Sequence, residues 1–365
     1  MLSIACRTIH PFILLCLCLA LASCTQGDSE LAPATSSTIT RQTTGEKKTV
    51  TSSPAKRRQD SNNNHEGILL TQADTDGDDR SESIAVCETA SICVNHPASG
   101  INHTYTNPHW DRVILVAVQD TDGQKGTEIV VVAQNADGVL TCICIIHDHS
   151  QTIASYLGPH WSTATVKSVI DTDGQPGDEV VLVASDSQLG LQCACIIRDR
   201  DGTYQTYMEP SWASIDINWV EDIDAHPGAE VVLEVRGTNG ITQCVCVIHH
   251  PDDRFARYSD LLWQTAVVQM LIDMDGTVGS EIVVIYATDL DGGVSTIQDR
   301  QQSMKTIAFT GDHPSIQQVG NYDKAPGAEL CVLLTNQHRY ELINIRSGEH
   351  VKVDSCQREP ENGRT

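Results

Sequence analysis

Residues 171–184 read DTDGQPGDEVVLVA, an acidic loop with two glycines that runs directly into an apolar stretch. The same pattern recurs five more times; the four central copies lie 51 residues apart, and the two outer copies are diverged. These copies begin at Asp74, Asp120, Asp222, Asp273 and Asn321. Self-similarity at a fixed period indicates a repeat protein in which each copy is one supersecondary unit.

The period extends beyond the loop. Tryptophans and cysteines recur at the same 51-residue spacing, namely Trp110, Trp161, Trp212 and Trp263, and Cys144, Cys195 and Cys246, with Cys93 in the same register. Within the third copy, residues 165–170, 179–184, 191–197 and 203–208 are rich in β-branched residues and separated by glycine, proline or polar turns. No helical periodicity is sustained. Each period therefore predicts four short strands.

A four-stranded antiparallel unit repeated about six times predicts an all-β fold, a β-propeller of six blades. Radial packing buries both faces of each blade, which explains why EVVLVA at 179–184 is a continuous apolar run instead of an alternating one. A linear β-solenoid is the competing architecture, but its repeats are usually shorter and its strands parallel.

Each loop together with its following strand resembles the FG-GAP or VCBS repeats of integrin α-type propellers. The resemblance covers residues 66–356, the predicted propeller domain. Integrin-type propellers have seven blades. The resemblance therefore leaves open the alternative of a seventh blade assembled from the termini.

The acidic loops are candidate calcium sites. Calcium takes six to eight oxygen ligands, and alternate loop positions can point inward where glycine permits a sharp turn. The first loop offers the fullest set: Asp74, Asp76, Asp78, the carbonyl of Arg80, and Glu82 at position nine. We therefore expect Ca²⁺ as a cofactor, with the first loop as its strongest site.

The four central loops keep carboxylates only at positions one, three and nine. These are Asp120, Asp122 and Glu128; Asp171, Asp173 and Glu179; Asp222, Asp224 and Glu230; and Asp273, Asp275 and Glu281. The alternative is a calcium-free hairpin in which aspartates accept hydrogen bonds from loop amides, as in Asx-turns.

The cysteines fall into two groups. Three C-x-C pairs, such as Cys142 and Cys144, have three open interpretations: small buried apolar residues, disulfides between i and i+2, or soft-metal sites. Cys87 and Cys93 lie across a predicted hairpin, where a disulfide is expected. The periodic tryptophans are interpreted as packing wedges between blades. The histidines near His147 and His249 occupy a turn whose residues vary, which argues against a shared metal site.

The amino-terminal sequence predicts the cellular location of the protein. An eleven-residue apolar run at 12–22 is short for a membrane span and typical of a signal peptide. It ends in Leu-Ala-Ser-Cys24, which resembles the lipobox of bacterial lipoproteins and implies acylation of Cys24; an ordinary secretory signal is the alternative. The chain is thus divided into a signal peptide (1–23), a flexible Ser/Thr-rich tether (24–65), the propeller, and a disordered tail (357–365). The expected location is the bacterial cell envelope, lipid-anchored, facing the periplasm or the exterior.

Charge and motifs narrow the function. Residues 66–365 hold 17 Lys/Arg and 44 Asp/Glu, a surface that repels nucleic acid and anionic lipid. No nucleophile elbow, P-loop or dinucleotide fingerprint is visible, and the carboxylates repeat with the blades. The prediction is a non-enzymatic binding or adhesion module for protein or glycan partners, which contacts the membrane only through its lipid. The alternative is a polysaccharide-acting, lyase-like enzyme or a subunit of a periplasmic enzyme complex.

Overall fold

The computed structural model describes residues 68–250, 252–344 and 346–356. The predicted signal peptide (1–23), Cys24, the tether (24–65) and the tail (357–365) lie outside these residues. The described chain contains 24 strands and one short 3-10 turn at Asp299–Gln301. In these ranges no helix has the length and apolar character that crossing a bilayer would require.

The strands form six four-stranded antiparallel sheets, each hydrogen bonded in chain order, so that every repeat makes its own blade. Blades 1 to 3 consist of β1 (Ile68–Ala73), β2 (Glu82–Glu88), β3 (Ser91–His96) and β4 (Ile101–Thr106); β5 (Arg112–Gln119), β6 (Glu128–Gln134), β7 (Leu140–His147) and β8 (Thr152–Tyr156); and β9 (Trp161–Ile170), β10 (Glu179–Asp186), β11 (Gln192–Arg198) and β12 (Thr203–Tyr207). Blades 4 to 6 consist of β13 (Ser214–Glu221), β14 (Glu230–Arg236), β15 (Thr242–His249) and β16 (Arg254–Tyr258); β17 (Thr265–Ile272), β18 (Glu281–Ala287), β19 (Gly292–Gln298) and β20 (Ser303–Phe309); and β21 (Pro314–Gly320), β22 (Glu329–Leu334), β23 (Arg339–Asn344) and β24 (Glu349–Val353).

This architecture confirms the predicted all-β propeller of about six four-stranded antiparallel blades. The strand pairing is antiparallel throughout the described sheets, which is not the pattern of a parallel solenoid. Each acidic loop joins the first and second strands of a blade, so all six loops lie at the same end of their blades.

Apolar side chains pack between successive blades. In β6, Ile129 and Val131 point toward blade 1, while Val130 and Val132 point toward blade 3. Five such clusters join the six blades in chain order, and no cluster among the described residues joins blade 6 to blade 1. β6 and β10 are buried on both faces and, after their first glutamate, are continuously apolar as far as Ala133 and Ala184.

The periodic tryptophans confirm their predicted packing role. Trp110, Trp161, Trp212 and Trp263 are each at most 8% exposed and belong to the clusters between blades 1 and 2, 2 and 3, 3 and 4, and 4 and 5. The position just before or at the start of each first strand places the indole at the seam between two blades. A tryptophan buried there is not available as a ligand platform.

The cysteines of the described residues form four disulfides. Cys87 is bonded to Cys93 across the β2–β3 hairpin, as the sequence predicts, with Cα atoms 5.9 Å apart. Two C-x-C pairs are bonded within their own strands, Cys142–Cys144 and Cys244–Cys246. The third pair, Cys193 and Cys195, is free and buried. A bond from Cys331 to Cys356, which the sequence analysis did not anticipate, holds the end of the described chain against β22.

Candidate functional site

The loop carboxylates at positions one and nine accept hydrogen bonds from their own loop. In the second loop, Oδ1 of Asp120 accepts the Gly123 amide at 2.7 Å, and Oε2 of Glu128 accepts the Thr121 amide at 2.8 Å. The glutamate bond recurs in all six loops and the aspartate bond in five. The aspartate at position three makes the Asx-turn bond, as Asp122 Oδ1 accepts the Gln124 amide at 2.8 Å.

The carboxylates at positions three and nine converge on the residue that ends the third strand. His147 Nδ1 lies 3.4 Å from Asp122 Oδ2 and 3.7 Å from Glu128 Oε1. His96 and His249 make the same pair of contacts in blades 1 and 4, at 3.2 and 3.7 Å and at 3.3 and 3.5 Å. Position one lies apart from this convergence, so the structure gathers only part of the predicted ligand set.

Blades 5 and 6 place an amide donor at the same point, and blade 3 reaches the position-three carboxylate from the turn that follows β11 (Gln192–Arg198). Gln298 donates to Asp275 at 2.9 Å, and Asn344 donates to Asp323 at 3.0 Å. In blade 3, Arg200 donates to Asp173 at 3.0 Å. The variation of these residues, from which no shared metal site was expected, is seen in the structure, where histidine, amide and guanidinium groups each face a loop carboxylate. The predicted placement in a turn is corrected for His147 and His249, which end β7 and β15.

A buried carboxylate then links each of the three histidines, His96, His147 and His249, to the following blade. Asp199 of blade 3 accepts hydrogen bonds from Tyr156 at 2.6 Å and Thr121 at 3.0 Å, and it lies 3.1 Å from His147 Nε2. Asp148 and Asp299 receive the corresponding tyrosine bonds between blades 1 and 2 and between blades 4 and 5. The sequence held a signal for this network, because Tyr105, Tyr156, Tyr207 and Tyr258 are 51 residues apart.

The pKa shifts at this junction have opposite directions. Burial alone would raise the pKa of Asp199, but hydrogen bonding and charge from His147, with the Tyr156 and Thr121 hydroxyls, lower it below its ordinary value of 3.8. Burial would lower the pKa of His147, but the facing carboxylates of Asp199 and Glu128 raise it to about 9. The pair is therefore held as an imidazolium and a carboxylate between two blades.

The acidic loops also contact one another along the array. The amide at position eight donates to the carbonyl at position one of the preceding loop, as Asp178 does to Asp120 at 2.7 Å and Thr127 to Asp74 at 2.8 Å. The glycine at position seven, with φ near +100° in Gly177 and Gly228, lets the two backbones approach this closely. The first loop has exposed Arg80 at this position. Among the described residues, which begin at 68, no acidic loop precedes it.

The opposite end of the blades has a different chemistry, and we call it the apolar-turn end. It is formed by the turns between second and third strands and by the connections between blades, including 135–139, 187–191, 237–241, 288–291, 157–160 and 259–264. One aliphatic residue in each turn of blades 2 to 5 is 40–76% exposed, namely Val139, Leu189, Ile241 and Leu290. Leu157, Leu261 and Leu262 in the connections are exposed as well.

Calcium stays a prediction, and the first loop is where it can be tested. Its aspartates at positions three, five and six, Asp76, Asp78 and Asp79, are half-buried or exposed, and Asp78 Oδ1 accepts the Arg80 amide at 2.9 Å. Clustered carboxylates repel each other, and a bound cation relieves that repulsion. We expect millimolar calcium to raise the melting temperature by about 2–4 °C, measured by calorimetry and reversed by a chelator.

The matched variant for this test is Asp78→Gln, which gives the first loop the position-five residue that Gln124 provides in the second. It should fold normally and lose most of the calcium response. An unchanged melting temperature in the natural chain across the calcium range would exclude the first-loop site, and an undiminished response in Asp78→Gln would place the calcium elsewhere.

Comparisons with known proteins find only distant structural similarity. No protein-family model matches the chain, and no curated protein matches it. Among solved structures, it is similar to the extracellular domain of a putative hybrid two-component system from B. thetaiotaomicron, at 12% identity and a TM-score of 0.31, covering 80% of this chain and 37% of that one. A putative one-component system from the same organism gives 14% and 0.30 with the same coverage. An oligogalacturonate lyase from Vibrio parahaemolyticus gives 12% and 0.21, covering 78% and 85%.

The chain thus spans little more than a third of the length of the first two structures. At these identities and TM-scores, neither a ligand nor an activity transfers to this protein. Its function has to be argued from its own surfaces.

Proposed function

We propose that this chain is an extracytoplasmic, membrane-anchored binding module and that its apolar-turn end contacts a protein partner. The observation that carries the proposal is the recurrence of an exposed aliphatic residue in the same turn of four successive blades, Val139, Leu189, Ile241 and Leu290. Turns are usually polar, and a contiguous exposed apolar surface is typical of an interaction site. Equivalent residues on several blades suit a broad contact rather than one asymmetric pocket.

The chemistry of this end favours a protein over a glycan. Sugar-binding surfaces commonly use exposed aromatic rings, whereas the four periodic tryptophans here are buried between blades. Aliphatic side chains match the apolar centre of a protein interface. Because the predicted propeller is strongly acidic, with 44 Asp/Glu against 17 Lys/Arg in residues 66–365, we expect the partner to have basic groups around its apolar patch.

The loop end is better explained as architecture than as an active site. Its carboxylates recur blade after blade, and in each blade the glutamate at position nine accepts a hydrogen bond from its own loop while the carboxylate at position three faces a nitrogen donor at or just after the end of the third strand. A catalytic pair would be expected to break the repeat, because one reaction centre needs one constellation of residues.

The cysteine chemistry supports the extracytoplasmic part of the proposal. Four disulfides in the described residues, including the long-range Cys331–Cys356 bond, are typical of an oxidising compartment. This agrees with the lipobox-like sequence at Cys24, which would attach the chain to a membrane through its lipid.

The test is a surface substitution with a matched control. A variant carrying Leu189→Gln, Ile241→Gln and Leu290→Gln removes the aliphatic surface from three turns. Val278→Gln removes an equally exposed aliphatic residue, 70% exposed, from the acidic-loop end. Crosslinking of the full chain in intact cells should trap a protein partner, and the affinity of that isolated partner should fall at least tenfold in the triple variant, with Val278→Gln unchanged.

Equal affinity in the triple variant would show that the apolar-turn end is not the contact surface. Equal losses in the triple variant and Val278→Gln would point to a nonspecific effect of surface polarity. Saturable binding of a polysaccharide, with no protein trapped, would contradict the choice of partner class.

A further inference from the structure

In blade 1, one residue of the fourth strand differs from its equivalents in the other blades and joins the buried network of histidines and carboxylates. His103 in β4 lies two residues before the periodic Tyr105, and the corresponding positions in the next four blades are Ala154, Gln205, Ala256 and Ile307, at 51-residue intervals. None of those residues is an imidazole. The junction between blades 1 and 2 therefore carries a second histidine that the other junctions lack.

The extra imidazole brings two ring nitrogens and one carboxylate together. His96 Nε2 lies 3.2 Å from His103 Nδ1 and 3.0 Å from Asp148 Oδ2, and His103 Nδ1 lies 2.7 Å from Asp148 Oδ1. A tetrahedral zinc ion with ligands at 2.0–2.2 Å holds its donor atoms roughly 3.3 Å apart. The two ring nitrogens are thus spaced as two ligands of one small divalent cation would be, and Asp148 presents one oxygen to each of them, with one ligand atom from each of the three residues lying within 4.8 Å of the others.

The surrounding contacts hold these side chains in one orientation, as hydrogen bonds usually do for metal ligands. The other nitrogen of His96, Nδ1, faces Asp76 Oδ2 at 3.2 Å, the carboxylate–histidine arrangement that orients a metal-bound imidazole. Asp148 is buried and accepts hydrogen bonds from the Tyr105 hydroxyl and, at 2.6 Å, from Thr75 Oγ1. His103 is 22% exposed, so a metal ion and a water ligand can reach the cluster from solvent.

We propose that His96, His103 and Asp148 form a site for a divalent transition metal of the zinc class, which joins blade 1 to blade 2. Two ligands come from blade 1 and one from blade 2, and solvent supplies the remaining position. Imidazole nitrogens select zinc, cobalt, nickel or copper over calcium, which prefers oxygen. This site is therefore distinct in chemistry from the calcium prediction for the first acidic loop.

The test is titration of the full chain with Co²⁺ and with Zn²⁺. Co²⁺ should bind at one ion per chain with the intense visible absorption of a tetrahedral centre, and without the near-ultraviolet thiolate band that binding at free Cys193 and Cys195 would give. Zn²⁺ should displace it and raise the melting temperature. His103→Ala, which reproduces the alanine of blade 2, should fold and lose at least 100-fold in Co²⁺ affinity.

Two control variants separate this site from other sources of binding. His149→Ala removes an exposed imidazole next to Asp148, and Asp78→Gln alters the predicted calcium loop. Both should leave the cobalt spectrum and affinity unchanged. The proposal is overturned by an octahedral spectrum, by a thiolate band, by equal affinity in His103→Ala, or by an absence of stoichiometric binding.

Discussion

Replacing Gly228 with alanine is expected to lower the free energy of unfolding by about 3 kcal/mol or more, the sum of backbone strain and overpacking. Gly228 has φ of +100°, a conformation that side chains with a Cβ rarely adopt. A Cβ there would lie 2.6 Å from the Thr172 carbonyl oxygen of the preceding loop. That oxygen is backbone and cannot swing away, so the variant must separate two loops of adjacent blades. Denaturant unfolding followed by circular dichroism measures the loss.

Two controls divide the expected loss into its parts. Gly138 has φ of +77° with nothing within 4 Å of an added Cβ, so Gly138→Ala should cost about 1 kcal/mol, from conformation alone. Arg80 occupies the position of Gly228 in the first loop and is exposed, so Arg80→Ala should stay within about 0.5 kcal/mol of the natural chain. Equal losses for Gly228→Ala and Gly138→Ala would mean that the close approach of the loops contributes nothing.

The contrast between these positions explains an irregularity in the sequence. The first acidic loop matches the calcium pattern best yet lacks the glycine at position seven, where it has Arg80. In the structure, that glycine serves the contact with the preceding loop. Among the described residues no backbone hydrogen bond joins the sixth loop to the first. Within that described range, the first loop therefore has no neighbouring loop that would require a glycine at position seven.

The strands and their packing could be predicted from sequence because both depend on local pattern. The runs at 179–184 and 203–208 form β10 and β12 almost as predicted. Trp161 could be assigned to a seam because a bulky aromatic residue that recurs once per blade has little other use. Periodicity alone carries this information.

The partners of the loop carboxylates could not be predicted in the same way. Asp122 faces His147, 25 residues further along, and Asp199 belongs to the next blade. These contacts depend on how one blade is placed on another, which no local pattern specifies. The 51-residue period of the tyrosines indicated a shared role, but it did not identify the carboxylate that accepts each tyrosine hydrogen bond. Cys356 lies beyond the last repeat, so its bond to Cys331 had no periodic signal at all.

Replacing Asp199 with alanine is expected to destabilise the protein by about 3–5 kcal/mol, because it removes one partner of a buried ion pair. Asp199 is 1% exposed and faces His147 Nε2 at 3.1 Å, while Tyr156 and Thr121 donate to its oxygens. The substitution leaves the Tyr156 hydroxyl without this acceptor. It also leaves His147 with only the carboxylates of Asp122 and Glu128, which face its other nitrogen. Asp201→Ala, which removes an exposed aspartate two residues away, is the matched control and should change stability by less than about 0.5 kcal/mol.

The near-isosteric variant Asp199→Asn removes the charge and keeps the shape, but its amide oxygen can accept only one of the two bonds, Tyr156 to Oδ1 or Thr121 to Oδ2, so the charge is measured by the pH-dependent part of the difference. The pKa of Asp199 lies below its ordinary value of 3.8, so the stability that its charge contributes is present above about pH 4 and is lost as the pH falls through the folded pKa. The natural chain should therefore exceed Asp199→Asn in unfolding free energy at pH 5 to 6. That difference should shrink steadily as the pH is lowered toward 2, measured by urea unfolding at each pH. A difference that is the same at pH 6 and at pH 2 would show that Asp199 acts through its hydrogen bonds and shape, with no contribution from the ion pair to His147.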